Sequence, residues 1–210
     1  MPISVSICGY ALAAAIIFTY VGQFGEYAVA GYGVGTRIEQ VVLLPILGIN
    51  TAIISIIAQN YGANNFVRIK ETYFTAIKYA FIIMITAGTL VFLSASVITS
   101  FFSSDPEVIE YGKRYLKISA FVLPAYPVFF LSNGFFMALK KSENAMISNF
   151  FRNVLNPIAV FYIAKYINAS FETFFWLWVG INWFFSISYF FIIIYYFKLK
   201  LNKPSTVVHP

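Results

Sequence analysis

Apolar residues along the chain fall into six runs, at residues 3–24, 40–58, 79–102, 118–139, 145–167 and 173–197, separated by short segments where charged, Asn, Gly and Pro residues collect. Each run is near the ~20 residues that a helix needs to cross the hydrocarbon core of a bilayer. Inside that core the backbone has no water to pair with, so helices that satisfy their own hydrogen-bond ladders are the structure expected there. The pattern predicts an all-α fold: a polytopic membrane protein built as a six-transmembrane-helix bundle over 1–200, with a tail at 201–210. The fifth run has the shortest charge-free stretch, because Arg152 and Lys165 both stand inside it.

Composition agrees. Hydrophobic residues make up 60% of the 210 and charged residues 10%, against roughly 45–50% and 25% in soluble domains. Mean hydropathy is +0.78. A net charge of +6 does not point to nucleic acid, because Lys and Arg are scattered between apolar runs instead of forming one basic face. Their distribution sets orientation. With the N-terminus inside, the inner segments hold Arg68, Lys70, Lys78, Lys140, Lys141, Arg152, Lys198, Lys200 and Lys203, nine in all, and the outer ones hold Arg37, Lys113, Arg114, Lys117 and Lys165, which is five. Basic residues collect on the cytoplasmic side, so both termini are expected there, in a multi-pass protein of the plasma membrane, the inner membrane of a bacterium. Omitting the fifth span would put the basic tail outside. Cys8 is the sole cysteine, which excludes an intrachain disulfide or a cysteine metal cluster. No Lys or Arg precedes the first run, so it reads as a retained span and not as a signal peptide.

Asp105-Pro106-Glu107 combines a capping side chain, a first-turn proline and an acid near the positive helix end. A helix through Tyr115 is expected, followed by an interfacial turn into the fourth span. Residues 64–71 mix apolar and charged positions, as a helix start among headgroups does. Pro45, Pro124, Pro127 and Pro157 lie inside spans. Each removes a backbone donor, and the carbonyl it frees needs another partner.

The stretch from Gly25 through Arg37-Ile38-Glu39-Gln40 leads to Pro45, then Gly48-Ile49-Asn50-Thr51-Ala52 and Gln59-Asn60-Tyr61-Gly62-Ala63. In that order these residues resemble the start of the second six-helix bundle of MATE (multidrug and toxic compound extrusion) transporters, with a flavour like the DinF branch. Arg152-Asn153-Val154-Leu155-Asn156-Pro157 is similar to the family's fifth-helix pattern. The resemblance covers nearly the whole chain. It implies one lobe, the C-terminal half, of a twelve-helix secondary transporter that exports organic cations or amphiphiles by proton- or sodium-coupled antiport. A separate or missing N-terminal six-helix half is then the implied partner, beside the lipid bilayer and small organic substrates.

Such coupling needs an ionisable group inside the membrane. Of the eight acids, only Glu39 reaches the edge of a run; Glu26, Asp105, Glu107, Glu110 and Glu172 fall in outer connections, and Glu71 and Glu143 in inner ones. In the DinF-like branch the coupling acids lie mainly in the first bundle, so the resemblance implies that the ion site belongs to the other half. NorM-like members carry acids in the first and fourth helices of the second bundle, where this chain has Tyr10 and the stretch from Pro127 to Asn133, without an acid. No further cofactor and no resident metal is implied. Glu39 is the acid placed to meet a cationic substrate, while Arg37 reads as an interface anchor.

The polar residues available to line a cleft are amides. Asn149, Asn153 and Asn156 share one helix face at i, i+4 and i+7, and Asn156 matches a position that holds an acid in the first bundle of DinF-like members. They line a cavity or bond between helices, a contact worth about 1 kcal/mol or less. Gln40, Asn50 and Asn133 are isolated amides in apolar runs and should turn inward. The aromatics of 171–197 surround the last helix on every side, which suits lipid contact. No catalytic constellation can be assembled, since the sole His is His209 in the tail and the sole Asp is Asp105 in a loop. An enzyme is therefore not expected. Two alternatives to an active exporter half remain: a truncated or split fragment without independent transport, and a related lipid-linked oligosaccharide flippase or polysaccharide exporter. The latter often hold phosphate on several basic residues, whereas here only Arg152 is a candidate.

Overall fold

A computed structural model describes residues 2–201, so most of the expected tail, with Lys203 and His209, lies outside the described residues. Among the described residues there is helix and no strand. The helices are α1 (Pro2–Val21), α2 (Glu26–Gly62), α3 (Phe66–Ser100), α4 (Pro106–Ser119), α5 (Tyr126–Ala138), α6 (Ser142–Phe150), α7 (Asn156–Tyr166) and α8 (Phe171–Leu201). Gly25 turns the chain from α1 into α2 with φ +100°, a conformation that only glycine adopts without strain. By length and composition, α2, α3, the α4–α5 run Pro106–Ala138 and α8 are apolar enough to cross a membrane. Apolar side chains such as Val41, Leu90, Leu93 and Val97 point outward, as a lipid-facing surface requires and a water-facing one does not.

α2 runs through the centre and packs on α3, α4 and α5. The approach to α4 is close. A Cβ on Gly31 would lie 2.7 Å from the Gly112 nitrogen and 2.8 Å from the Val108 carbonyl oxygen, and a Cβ on Gly35 would lie 2.2 Å from Tyr115 Cδ1. Small residues at such crossings are what let membrane helices gain contact energy. The turn expected after Tyr115 falls a few residues later in the chain. Asp105 does cap α4, accepting from the Glu107 nitrogen at 2.9 Å. The helix then continues past Tyr115 to Ser119, and its Gly112, Tyr115 and Leu116 face is buried.

The chain breaks instead at 120–125, in a short 3-10 turn, Leu123–Ala125. Pro124 and Pro127 withdraw the donors that the Ala120 and Leu123 carbonyls would have used. Neighbouring helices take up the exposed backbone. The Phe121 carbonyl accepts from Trp183 Nε1 at 2.8 Å, the Ala125 carbonyl accepts from Ser186 Oγ at 3.1 Å, and Gly88 of α3 lies against the Ala120 carbonyl. Pro157 has a different effect. The turn before it widens into a π-helical segment, Phe151–Leu155, that joins α6 to α7, a known response to a ring that cannot sit under the preceding carbonyl.

The last helix is not lipid-facing on every side. Phe171, Phe174, Phe175, Tyr189 and Phe197 are buried in the bundle, while Trp176, Phe184, Phe191 and Tyr195 are exposed. On α3, Tyr73 shares a 2.7 Å hydrogen bond with Ser132 of α5, both fully buried. Tyr73→Phe is expected to cost about 1 kcal/mol, read as a small drop in the detergent melting temperature with an unchanged helical spectrum.

Candidate functional site

Starting α2 at Glu26 moves Glu39 off the edge where the hydropathy pattern puts it. It stands five residues from the middle of a 37-residue helix, about 8 Å at 1.5 Å per residue. Gly31, Gly35 and Glu39 are spaced by four, so they share the face that meets α4. Gly31 lets the α4 backbone close in and Gly35 makes room for the Tyr115 ring, whose hydroxyl donates to Glu39 Oε2. The Tyr126 hydroxyl, from the first turn of α5, donates to Oε1 at 2.5 Å. Both oxygens of one carboxylate are thus held by tyrosines from two further helices.

This carboxylate lines a cavity of about 160 Å³, walled by α1, α2, α4, α5, the π segment and α8. Arg152 enters from the π segment. Its guanidinium carbon lies 4.1 Å from the Phe129 ring centre, 5.0 Å from Tyr126 and 5.4 Å from Phe130, and its Nε donates to Asn182 Oδ1 at 3.4 Å. Stacking on three α5 rings suits this half-buried guanidinium, because the ring faces supply partial negative charge. One acid, one base, tyrosine hydroxyls and aromatic walls therefore meet in a single space. The carboxylate can take up and release a proton there, and its ionised form attracts positive charge.

Of the residues singled out by sequence, Glu39, Gln40 and Asn153 line this cavity. Asn156 lies one turn beyond Asn153, buried, with no hydrogen-bond partner at either side-chain polar atom. Asn149 is only half-buried and is not among the cavity walls. Asn133 donates to the Phe129 carbonyl at 3.2 Å and accepts from the Tyr189 hydroxyl at 3.4 Å. Asn50 is set against Gly134 of α5, where a Cβ would meet its Oδ1 at 2.1 Å. These two sit at helix contacts, away from the cavity. Arg37 is exposed.

Glu39 lies within the unbroken length of α2, so this chain carries an acid inside a helix long and apolar enough to cross a membrane. The rings that stack on Arg152 beside the cavity belong to α5. Sequence reasoning missed Tyr115, Tyr126, Phe175 and Trp178 as cavity walls. The four-residue spacing of Gly31, Gly35 and Glu39 was the available signal. Among the described residues no group of three or more His, Cys, Asp or Glu side chains could hold a metal.

A family model described as MatE matches residues 2–162. The chain belongs to the MatE family. The matched region contains Glu39, Tyr115, Tyr126, Arg152 and Asn153, and ends before α8 contributes Phe175 and Trp178. Among MatE-related proteins, the chain is 26% identical over 164 residues to the probable multidrug resistance protein YpnP of Bacillus subtilis, covering 78% of this chain and 34% of that protein. It is 25% identical over 158 residues to an FAD transporter of Shewanella oneidensis, covering 75% and 35%. With the multidrug export protein MepA of Staphylococcus haemolyticus the figures are 27% over 132 residues, covering 63% and 29%. The fold is shared with a crystal structure of MATE in complex with MaL6, at TM-score 0.89 and 20% identity over 96% of this chain and 46% of that one. A MOP superfamily transporter from Pyrococcus furiosus, described as having a binding pocket of reverse polarity, gives 0.86 and 22% over 96% and 46%. The chain thus spans about a third of the curated relatives and just under half of the solved structures.

Proposed function

We propose that the chain is one six-helix lobe of a secondary exporter, in which the cavity around Glu39 takes organic cations or amphiphiles and the Glu39 carboxylate exchanges the coupling ion against them. The observation that carries this reading is a carboxylate inside a membrane helix, held at both oxygens by tyrosine hydroxyls and facing a cavity. Intramembrane acids are costly and mark ion and substrate paths. Hydroxyl donors around the carboxylate, rather than a shell of acceptor oxygens, suit a proton better than sodium as the ion carried. Ionised, the carboxylate accepts from Tyr115 and Tyr126 and attracts a cation. Protonated, it loses that attraction and the substrate leaves. Export follows if the two forms favour opposite-facing states.

Spanning just under half of the solved transporters favours action beside a companion six-helix half, in a bacterial inner membrane with both ends of the chain in the cytoplasm. The test is efflux of a fluorescent cationic dye from cells carrying this chain with and without such a half, before and after a protonophore. Gradient-dependent efflux with the pair supports the reading; its absence under all conditions, with both halves in the membrane, refutes it. Tyr126→Phe removes one donor and leaves the ring on Arg152. Its efflux rate is expected to fall several-fold, about what 1–2 kcal/mol of a charge-assisted hydrogen bond is worth.

A further inference from the structure

Away from the Glu39 cavity, an apolar groove of about 540 Å³ runs between α3, the α4–α5 break and α8. Its walls include Phe81, Gly88 and Phe92 of α3, with Phe121, Trp176 and Trp183 opposite. Gly88 keeps the floor low against the Ala120 carbonyl, and the Phe121 carbonyl is occupied by Trp183. From Phe92 to Phe81 the groove follows α3 for about 16 Å at 1.5 Å per residue, and its sides at Phe92, Phe121 and Trp176 are open to the outside. An apolar groove of this length, open along one side, suits a hydrocarbon chain.

A positive charge stands at one end. Lys117 Nζ lies 5.5 Å from the centre of the Phe92 ring. Its neighbours Lys113 and Arg114 are both paired with Glu110, at 2.8 and 3.0 Å. Among the described residues Lys117 has no carboxylate partner. It stands at the Phe92 end of the groove, the end nearer the turn between α3 and α4, and the apolar walls lead away from it along α3 toward Phe81. That is the order of charge and chain in a phospholipid.

We propose that this groove binds an anionic phospholipid, with one acyl chain between α3 and α8 and the phosphate on Lys117. The inference needs only that the helices lie in a bilayer, and it stands apart from the transport reading. The zwitterionic headgroup of phosphatidylcholine carries its own cation, whereas phosphatidylglycerol leaves a net negative charge for Lys117. One lysine–headgroup attraction corresponds to about a fivefold preference.

The three tryptophans provide the readout, since Trp176 and Trp183 wall the groove and Trp178 walls the Glu39 cavity. Full-length chain in mixed detergent micelles is titrated with phosphatidylglycerol or phosphatidylcholine carrying brominated acyl chains, which quench nearby indoles. Phosphatidylglycerol is expected to quench at about fivefold lower mole fraction. Lys117→Gln should abolish the difference while leaving phosphatidylcholine quenching as in the native chain, which shows the groove intact. Lys117→Arg and Arg114→Gln should keep the difference. Equal quenching by both lipids in the native chain overturns the proposal, as does a preference that survives Lys117→Gln or disappears with Arg114→Gln. Lack of quenching by either lipid would mean that protein, not lipid, covers the groove.

Discussion

Glu39→Gln is expected to reduce efflux by the paired halves to the rate seen without a gradient, with little change in membrane yield or melting temperature. The amide has the shape of the acid. Its oxygen can still accept from one tyrosine, and its nitrogen can donate to the other, because a phenolic oxygen also accepts. The packing of α2 on α4 and α5 should therefore survive. What disappears is the charge, and with it both the attraction for a cation and the ability to release a proton. Glu39→Asp keeps the charge but shortens the reach to Tyr115 and Tyr126, so intermediate efflux that still responds to a protonophore is expected. Dye efflux before and after the protonophore separates the cases. Full gradient-dependent efflux by the Gln variant would place coupling elsewhere.

Gly31→Ala should lower stability by about 1–3 kcal/mol, the usual range for overpacking. Its new methyl would meet backbone, the Gly112 nitrogen at 2.7 Å and the Val108 carbonyl oxygen at 2.8 Å, not the end of a flexible side chain. Helix α4 has to move as a unit. Gly33→Ala, two residues away, meets nothing within 4 Å and should be neutral or slightly stabilising, because alanine favours helix. Melting in detergent measures both. Displacing α4 also withdraws Tyr115 from Glu39, so Gly31→Ala is expected to slow efflux in proportion to its destabilisation. Equal melting temperatures for the two variants would contradict the close packing of α2 on α4.

The helical bundle was legible because apolar run length is a strong local signal, and the Asp105 cap because its donors lie within three residues. Glu39 was misplaced for an equally local reason. Arg37, Glu39 and Gln40 end an apolar window, yet α2 runs unbroken through them. What makes an acid tolerable there are hydroxyls 76 and 87 residues further along the chain, and no hydropathy window sees partners at that distance. The prolines announced disrupted ladders, but whether a break or a widened turn results depends on neighbours. Trp183 and Ser186 cover opened backbone at 120–125, while α6 and α7 are joined without a helical break through the π segment. The amides illustrate the same limit. Asn153 and Asn133 are alike as polar residues in apolar runs, and tertiary packing alone assigns one to a cavity wall and the other to a helix contact.

Tyr115 and Tyr126 lie on opposite sides of the gap between α4 and α5, and Glu39 grips both. The carboxylate is in effect a clasp over a joint: it fixes the angle between two rods while each of its oxygens is occupied. Adding a single proton turns one acceptor into a donor, so the hydrogen bond to one tyrosine reverses its direction while the joint stays closed and the charge disappears from it.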